Sequence, residues 1–138
     1  MLYVDTRFLR VDWDEDLRCV CTEWKAFYAE GEEYRSALDK VLELLETKRS
    51  KKLLGDGRRM KVISKVDQDW VESVWMPRSA QVGLRYSALL LPTSAVTQMS
   101  LNQIMKKYKL PDASSAEVLN AYFDSVDKAR QWLASQPT

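Results

Sequence analysis

The sequence predicts one α/β domain spanning residues 1–138. Its mixed sheet of about five strands opens with an antiparallel hairpin and continues as β-α repeats, with about four helices. Three observations carry this. Two runs near the N-terminus alternate apolar and polar residues around an acidic turn. Later, short apolar runs bounded by Gly and Pro alternate with longer segments of helical spacing. The 46% hydrophobic and 30% charged content is that of an ordinary folded chain. A chain of 138 residues can bury about 68% of its unfolded surface in a single core.

The elements follow in order. Phe8–Trp13 and Leu17–Trp24 alternate with period two, and Asp14-Glu15-Asp16 between them reads as the turn of a hairpin. Leu2-Tyr3-Val4 either extends the first strand or pairs beside it. From about Gly31 to Lys48, Tyr34, Ala37, Leu38, Val41, Leu44 and Leu45 fall on one helical face. Lys48-Arg49-Ser50-Lys51-Lys52 reads as a solvated, dipole-matched helix end, and Lys52–Asp56 as a buried strand. Ser64-Lys65-Val66-Asp67 is a capping box with Asp in the Glu position. Its helix runs to about Val82, is interrupted at Pro77, and ends at Gly83 as a left-handed terminator. Tyr86–Leu91 is the next buried strand. Two helical stretches, 95–98 and 101–108, or one helix broken around Ser100, follow, then a loop over 109–115. Glu117–Phe123 is the last strand. Asp124 or Ser125 caps a final helix with Val126, Ala129, Trp132 and Leu133 inward.

The composition excludes several chemistries. With no histidine, Ser-His-Asp and Cys-His nucleophile activation are out. Gly55, Gly57 and Gly83 form neither a dinucleotide fingerprint nor a phosphate loop, so no cofactor is implied. Cys19 and Cys21 have no further cysteine or histidine to complete a zinc site, and read as two small buried side chains. The Asp12–Asp16 cluster is turn chemistry rather than a calcium loop; no metal is expected. With 21 basic and 20 acidic residues, no global field steers the chain to nucleic acid. The longest apolar run, Ala88–Leu91, falls far short of the roughly 20 residues of a membrane helix, and no signal-peptide core is visible at the N-terminus. The expectation is a cytosolic protein.

What remains is the junction of residues 53–83. In open α/β sheets, ligands and partners bind beyond the carboxyl ends of parallel strands. Asp56, Arg58 and Arg59 follow such a strand, Ser64 starts the next helix, and Trp70, Trp75 and Arg78 lie along it. These seven form the expected binding face. The surplus of tryptophans suits an apolar groove or a dimer interface.

Trp24, Asp56, Trp70, Trp75-Met76-Pro77-Arg78, Gly83 and the closing Tyr122-Phe123-Asp124-Ser125-Val126-Asp127-Lys128-Ala129-Arg130-Gln131-Trp132-Leu133 together resemble the SpoIIAA-like family of STAS-type domains. The resemblance covers nearly the whole chain. It implies a mixed sheet with helices mainly on one side, in a small bacterial protein. Anti-sigma-factor antagonists of this fold are non-enzymatic switches, phosphorylated on a serine at the start of the helix after the third strand. Ser64 matches by position and is the candidate phosphoacceptor. Where that family has Asp-Ser-Ser/Thr-Gly, this chain reads Ile63-Ser64-Lys65-Val66, and a plain helix cap is the alternative. STAS-like folds are also similar to CRAL-TRIO lipid-transfer domains.

Three functions are thereby set against one another. The first is a non-catalytic, homodimeric interaction module meeting an unknown protein partner through residues 57–82. The second is a binder of a small apolar or lipid-like ligand beside the 65–82 helix. The third is an enzyme using Asp56, Arg58, Arg59 and Ser64.

Overall fold

The computed structural model describes residues 2–91 and 118–138. Along the chain these form β1 (Leu2–Asp5), β2 (Leu9–Asp14), β3 (Cys19–Trp24), α1 (Gly31–Lys48), β4 (Lys52–Asp56), α2 (Lys65–Trp70), a π-helical turn (Val71–Trp75), α3 (Met76–Gln81), β5 (Tyr86–Leu90), β6 (Leu119–Phe123) and α4 (Val126–Ala134). The predicted helical stretches at 95–98 and 101–108 and the loop at 109–115 lie outside the described residues.

The six strands form one sheet in chain order. β2 runs antiparallel to its neighbours β1 and β3, and β3, β4, β5 and β6 run parallel. The expected α/β mixed sheet is therefore present, with one strand more than anticipated, because residues 2–5 pair beside β2 instead of extending it. The hairpin turn closes with Asp14 accepting the Leu17 N–H at 3.0 Å, an aspartate holding its own turn.

Side-chain alternation divides the core between the two faces of the sheet. On the front face Leu9, Val11, Trp13, Val20 and Leu53 pack against α1 and against α2, the π-turn and α3. On the back face Leu17, Cys19, Leu54 and Ala88 pack against Ala129 and Leu133 of α4. The helix expected to run from 65 to about 82 is continuous but widened. Pro77 has no N–H for the Ser73 carbonyl, and just before it the Met76 N–H reaches back five residues to Val71. A π-turn of this kind takes up the missing donor without ending the helix. At the far end Gly83 has φ +110°, and the Leu84 N–H bonds to Ser79 O at 3.0 Å, the terminator foreseen from sequence.

Lys52 departs from the solvated cap expected of the Lys48–Lys52 cluster. It is 1% exposed, and its Nζ donates to Leu133 O at 2.6 Å. As the first residue of β4 it points to the back face, where the C-terminal carbonyls of α4 present the negative end of a helix dipole.

Candidate functional site

Among the described residues, the front face has a hollow at the carboxyl ends of the parallel strands. Register aligns Thr22, Gly55, Leu89 and Tyr122 in one row across β3, β4, β5 and β6. Over this floor lies a cavity of about 120 Å³, roofed by Leu38 and Val41 of α1, Val71 and Trp75 of the π-turn, and Met60 and Ile63 of the β4–α2 loop. Two glycines keep it open. A Cβ on Gly55 would stand 2.8 Å from Leu89 Cδ2, and one on Gly57 would stand 3.0 Å from Leu90 O. Gly57 also donates its N–H to that Leu90 carbonyl at 3.0 Å, so β4 and β5 stay close one residue beyond the ladder.

The roof is fixed by two polar anchors. Trp75 is buried, and its indole Nε1 donates to Leu38 O at 2.9 Å, tying the π-turn to α1. Asp67 is fully buried and accepts from the Gly31 N–H at 2.9 Å, the Ser64 hydroxyl at 2.8 Å and Arg35 Nε at 3.2 Å. One carboxylate thus clamps the N-termini of α1 and α2 together. Negative charge is favoured at both ends, and both oxygens of the shared carboxylate accept hydrogen bonds. Tyr34 packs between them, its hydroxyl pushed far above its ordinary value by burial and then by the Asp67 carboxylate. It is neutral at any ordinary pH, so it brings no charge to the cavity wall.

The seven residues expected to form one face do not gather in one place; Arg59 is exposed in the loop after β4. Asp56 and Arg58 are together at the end of β4, where Arg58 Nη2 and Nε reach the carboxylate at 2.7 and 3.0 Å. Partial burial works to raise the Asp56 carboxyl, but the hydrogen bonds and charge of Arg58, with Arg59 nearby, bring it below the usual value. Ser64 turns the other way. It caps α2 by accepting the Asp67 N–H at 3.2 Å, while its hydroxyl donates to the Asp67 side chain. Trp75 belongs to the cavity wall, whereas Trp70 is half-buried with the Arg35 guanidinium 5.5 Å above its ring. Arg78 lies further along, 3.8 Å from Asp39 of α1. The structure therefore does not bring Ser64 to Asp56 and Arg58.

Sequence reasoning missed Asp67 as a buried clamp and the row Thr22–Leu89–Tyr122. One signal was present: Gly55 in β4 and Gly57 one residue past its end bring no side chain at two nearby positions of the cavity lining. Among the described residues no group of acidic or cysteine side chains is placed to hold a metal ion, and no helix is long and apolar enough to cross a membrane. No family model, curated protein or solved structure matches this chain.

Proposed function

We propose that this chain is a non-catalytic binding domain that holds a small apolar group in the front-face cavity. The observation that carries the reading is the cavity itself, whose described walls are mainly aromatic and aliphatic side chains, with hydroxyls on Thr22, Tyr34 and Tyr122. Apolar cavities of roughly 150 Å³ stay dry and accept benzene-sized guests, and clefts of this composition are the usual form of small-molecule sites. The location, beyond the carboxyl ends of parallel strands, is where open α/β sheets bind ligands. The SpoIIAA-like resemblance belongs to this reading as a proposal, supported by the mixed sheet and by the helices over its front face.

The test is a toluene titration followed by NMR and thermal unfolding. Toluene should perturb signals of Trp24, Val71 and Trp75, and raise the melting temperature as binding to the folded state requires. Val71→Phe should fill the space, fold with equal or higher stability, and lose the toluene response. An unchanged response in a folded Val71→Phe protein would place the binding elsewhere.

A protein-interaction module is the second reading, favoured by a different observation. Phe27, Tyr28 and Val62 on two loops, and Val66 in the first turn of α2, are exposed beside the cavity roof; Phe27 and Val62 line one depression. Apolar side chains gathered in this way suit a partner or a second copy. Sedimentation of the wild type against Phe27→Ser/Val66→Glu reads it: a homodimer should dissociate, and identical sedimentation of the two proteins counts against self-association through this patch.

A further inference from the structure

Beside the apolar cavity, and sharing Leu91 and Tyr122 with it as a common wall, lies a wider surface groove of about 650 Å³. Its other lining residues are Arg58, Phe123, Asp124 and Lys128. The two spaces differ in character. The inner one is apolar; the outer one carries two cations and one carboxylate, and Arg59 lies close enough to help lower the Asp56 carboxyl.

The two cations are held differently. Arg58 is oriented by its two-point contact with Asp56. Lys128 stands 3.3 Å from Asp124, both largely exposed, a pair of little energetic weight. Lys128 also sits in the first turn of α4, where the helix dipole disfavours a cation. Asp127 in the same turn serves the dipole, so helix stability gives no reason for a lysine there. An anion in the groove would meet Lys128, Arg58 and the positive end of α4 together.

We infer that the ligand is amphipathic and anionic: its apolar ring or short chain fills the inner cavity, and its carboxylate or similar head group lies past Tyr122 in the outer groove, between Arg58 and Lys128. This inference rests on the proposed apolar site and adds the chemical class of what enters it. The size of the inner space limits the apolar part to about a benzene ring or its equivalent in chain.

Three probes with one skeleton separate the two claims: phenylacetate, 2-phenylethanol and phenethylamine, titrated at neutral pH and followed by NMR. Phenylacetate should bind more tightly than the alcohol, by up to about fivefold on the scale of a partly exposed charge pair, and the amine should bind most weakly. In Arg58→Gln/Lys128→Gln the preference for phenylacetate should vanish while 2-phenylethanol binds as before. Equal binding of acid and alcohol, tighter binding of the amine, or a preference that survives in the double variant would overturn the head-group assignment and leave the cavity standing. Failure of all three probes and of toluene would overturn both.

Discussion

The two faces of the sheet solve the same packing problem differently. On the back, one nine-residue helix closes over small residues: Cys19, Ala88, Ala129 and Leu133 are each fully buried, and Lys52 threads through the layer to satisfy a helix-end carbonyl. Asp14 and Arg130, 2.7 Å apart, pin the rim of that helix to β2. On the front, α1 and the α2–π–α3 rod cover a larger area with larger side chains, yet leave a hollow where Gly55 and Gly57 thin the floor. Close packing is the rule in protein interiors, so a space that the described residues leave unfilled, beside the Trp75 and Asp67 anchors, sets the front face apart. The back face holds the fold together and the front face is shaped.

Truncations should expose this contrast most strongly. Leu133→Ala removes a fully buried side chain from the tight face, and should cost toward the upper end of the about 2–5 kcal/mol range for such changes. Leu38→Ala, beside a space already empty, should fall toward the lower end of that range because fewer contacts are lost. Urea unfolding of the two variants measures the difference, and equal losses would erase the distinction between the faces.

Asp67→Ala should come next, at about 3 kcal/mol, since it strands the Gly31 N–H and the Arg35 guanidinium that the carboxylate now satisfies. Hydrogen exchange should show that the first turns of α1 and α2 open together in this variant. Opening of α2 alone would mean that the clamp is not shared. Ser64→Ala should cost less, about 1 kcal/mol, as expected for loss of an N-cap.

The smallest effect is acid sensitivity at two carboxylates. Partial burial acts to raise Asp14, but the Leu17 N–H and Arg130 outweigh it, and Asp56 is likewise lowered by Arg58. A depressed folded value means that the stabilisation is present in full above the ordinary carboxylate value of 3.8 and is lost as pH falls below it through the folded values. Arg130→Gln should therefore lower stability slightly at neutral pH, where the pair with Asp14 is charged, and the difference from the wild type should shrink as pH falls below 3.8, giving the variant a flatter acid limb.

Much of the fold was legible because its signals are local. The spacing of Tyr34, Ala37, Leu38, Val41, Leu44 and Leu45 predicts α1, and that helix spans Gly31–Lys48. Ser64 and Asp67 announce the start of α2, and Gly83 the end of α3. The site was harder to read, because it depends on contacts between distant residues. Asp67 looks like half of a local capping box, but two of its partners lie 36 and 32 residues away on α1. Trp70 and Trp75 are five apart, and which one turns inward depends on a π-turn dictated by Pro77. Lys52 belongs to a basic cluster by sequence and to the core by strand parity. A cavity, finally, is a statement about what several elements fail to fill, and no single segment encodes it.

A crystal structure of the protein under xenon pressure would read the cavity itself. Xenon should occupy the front-face space bounded by Trp24, Leu38, Val71 and Trp75, with the surrounding side chains unmoved. A front face filled by its own side chains, with xenon absent there, would contradict the proposed apolar site.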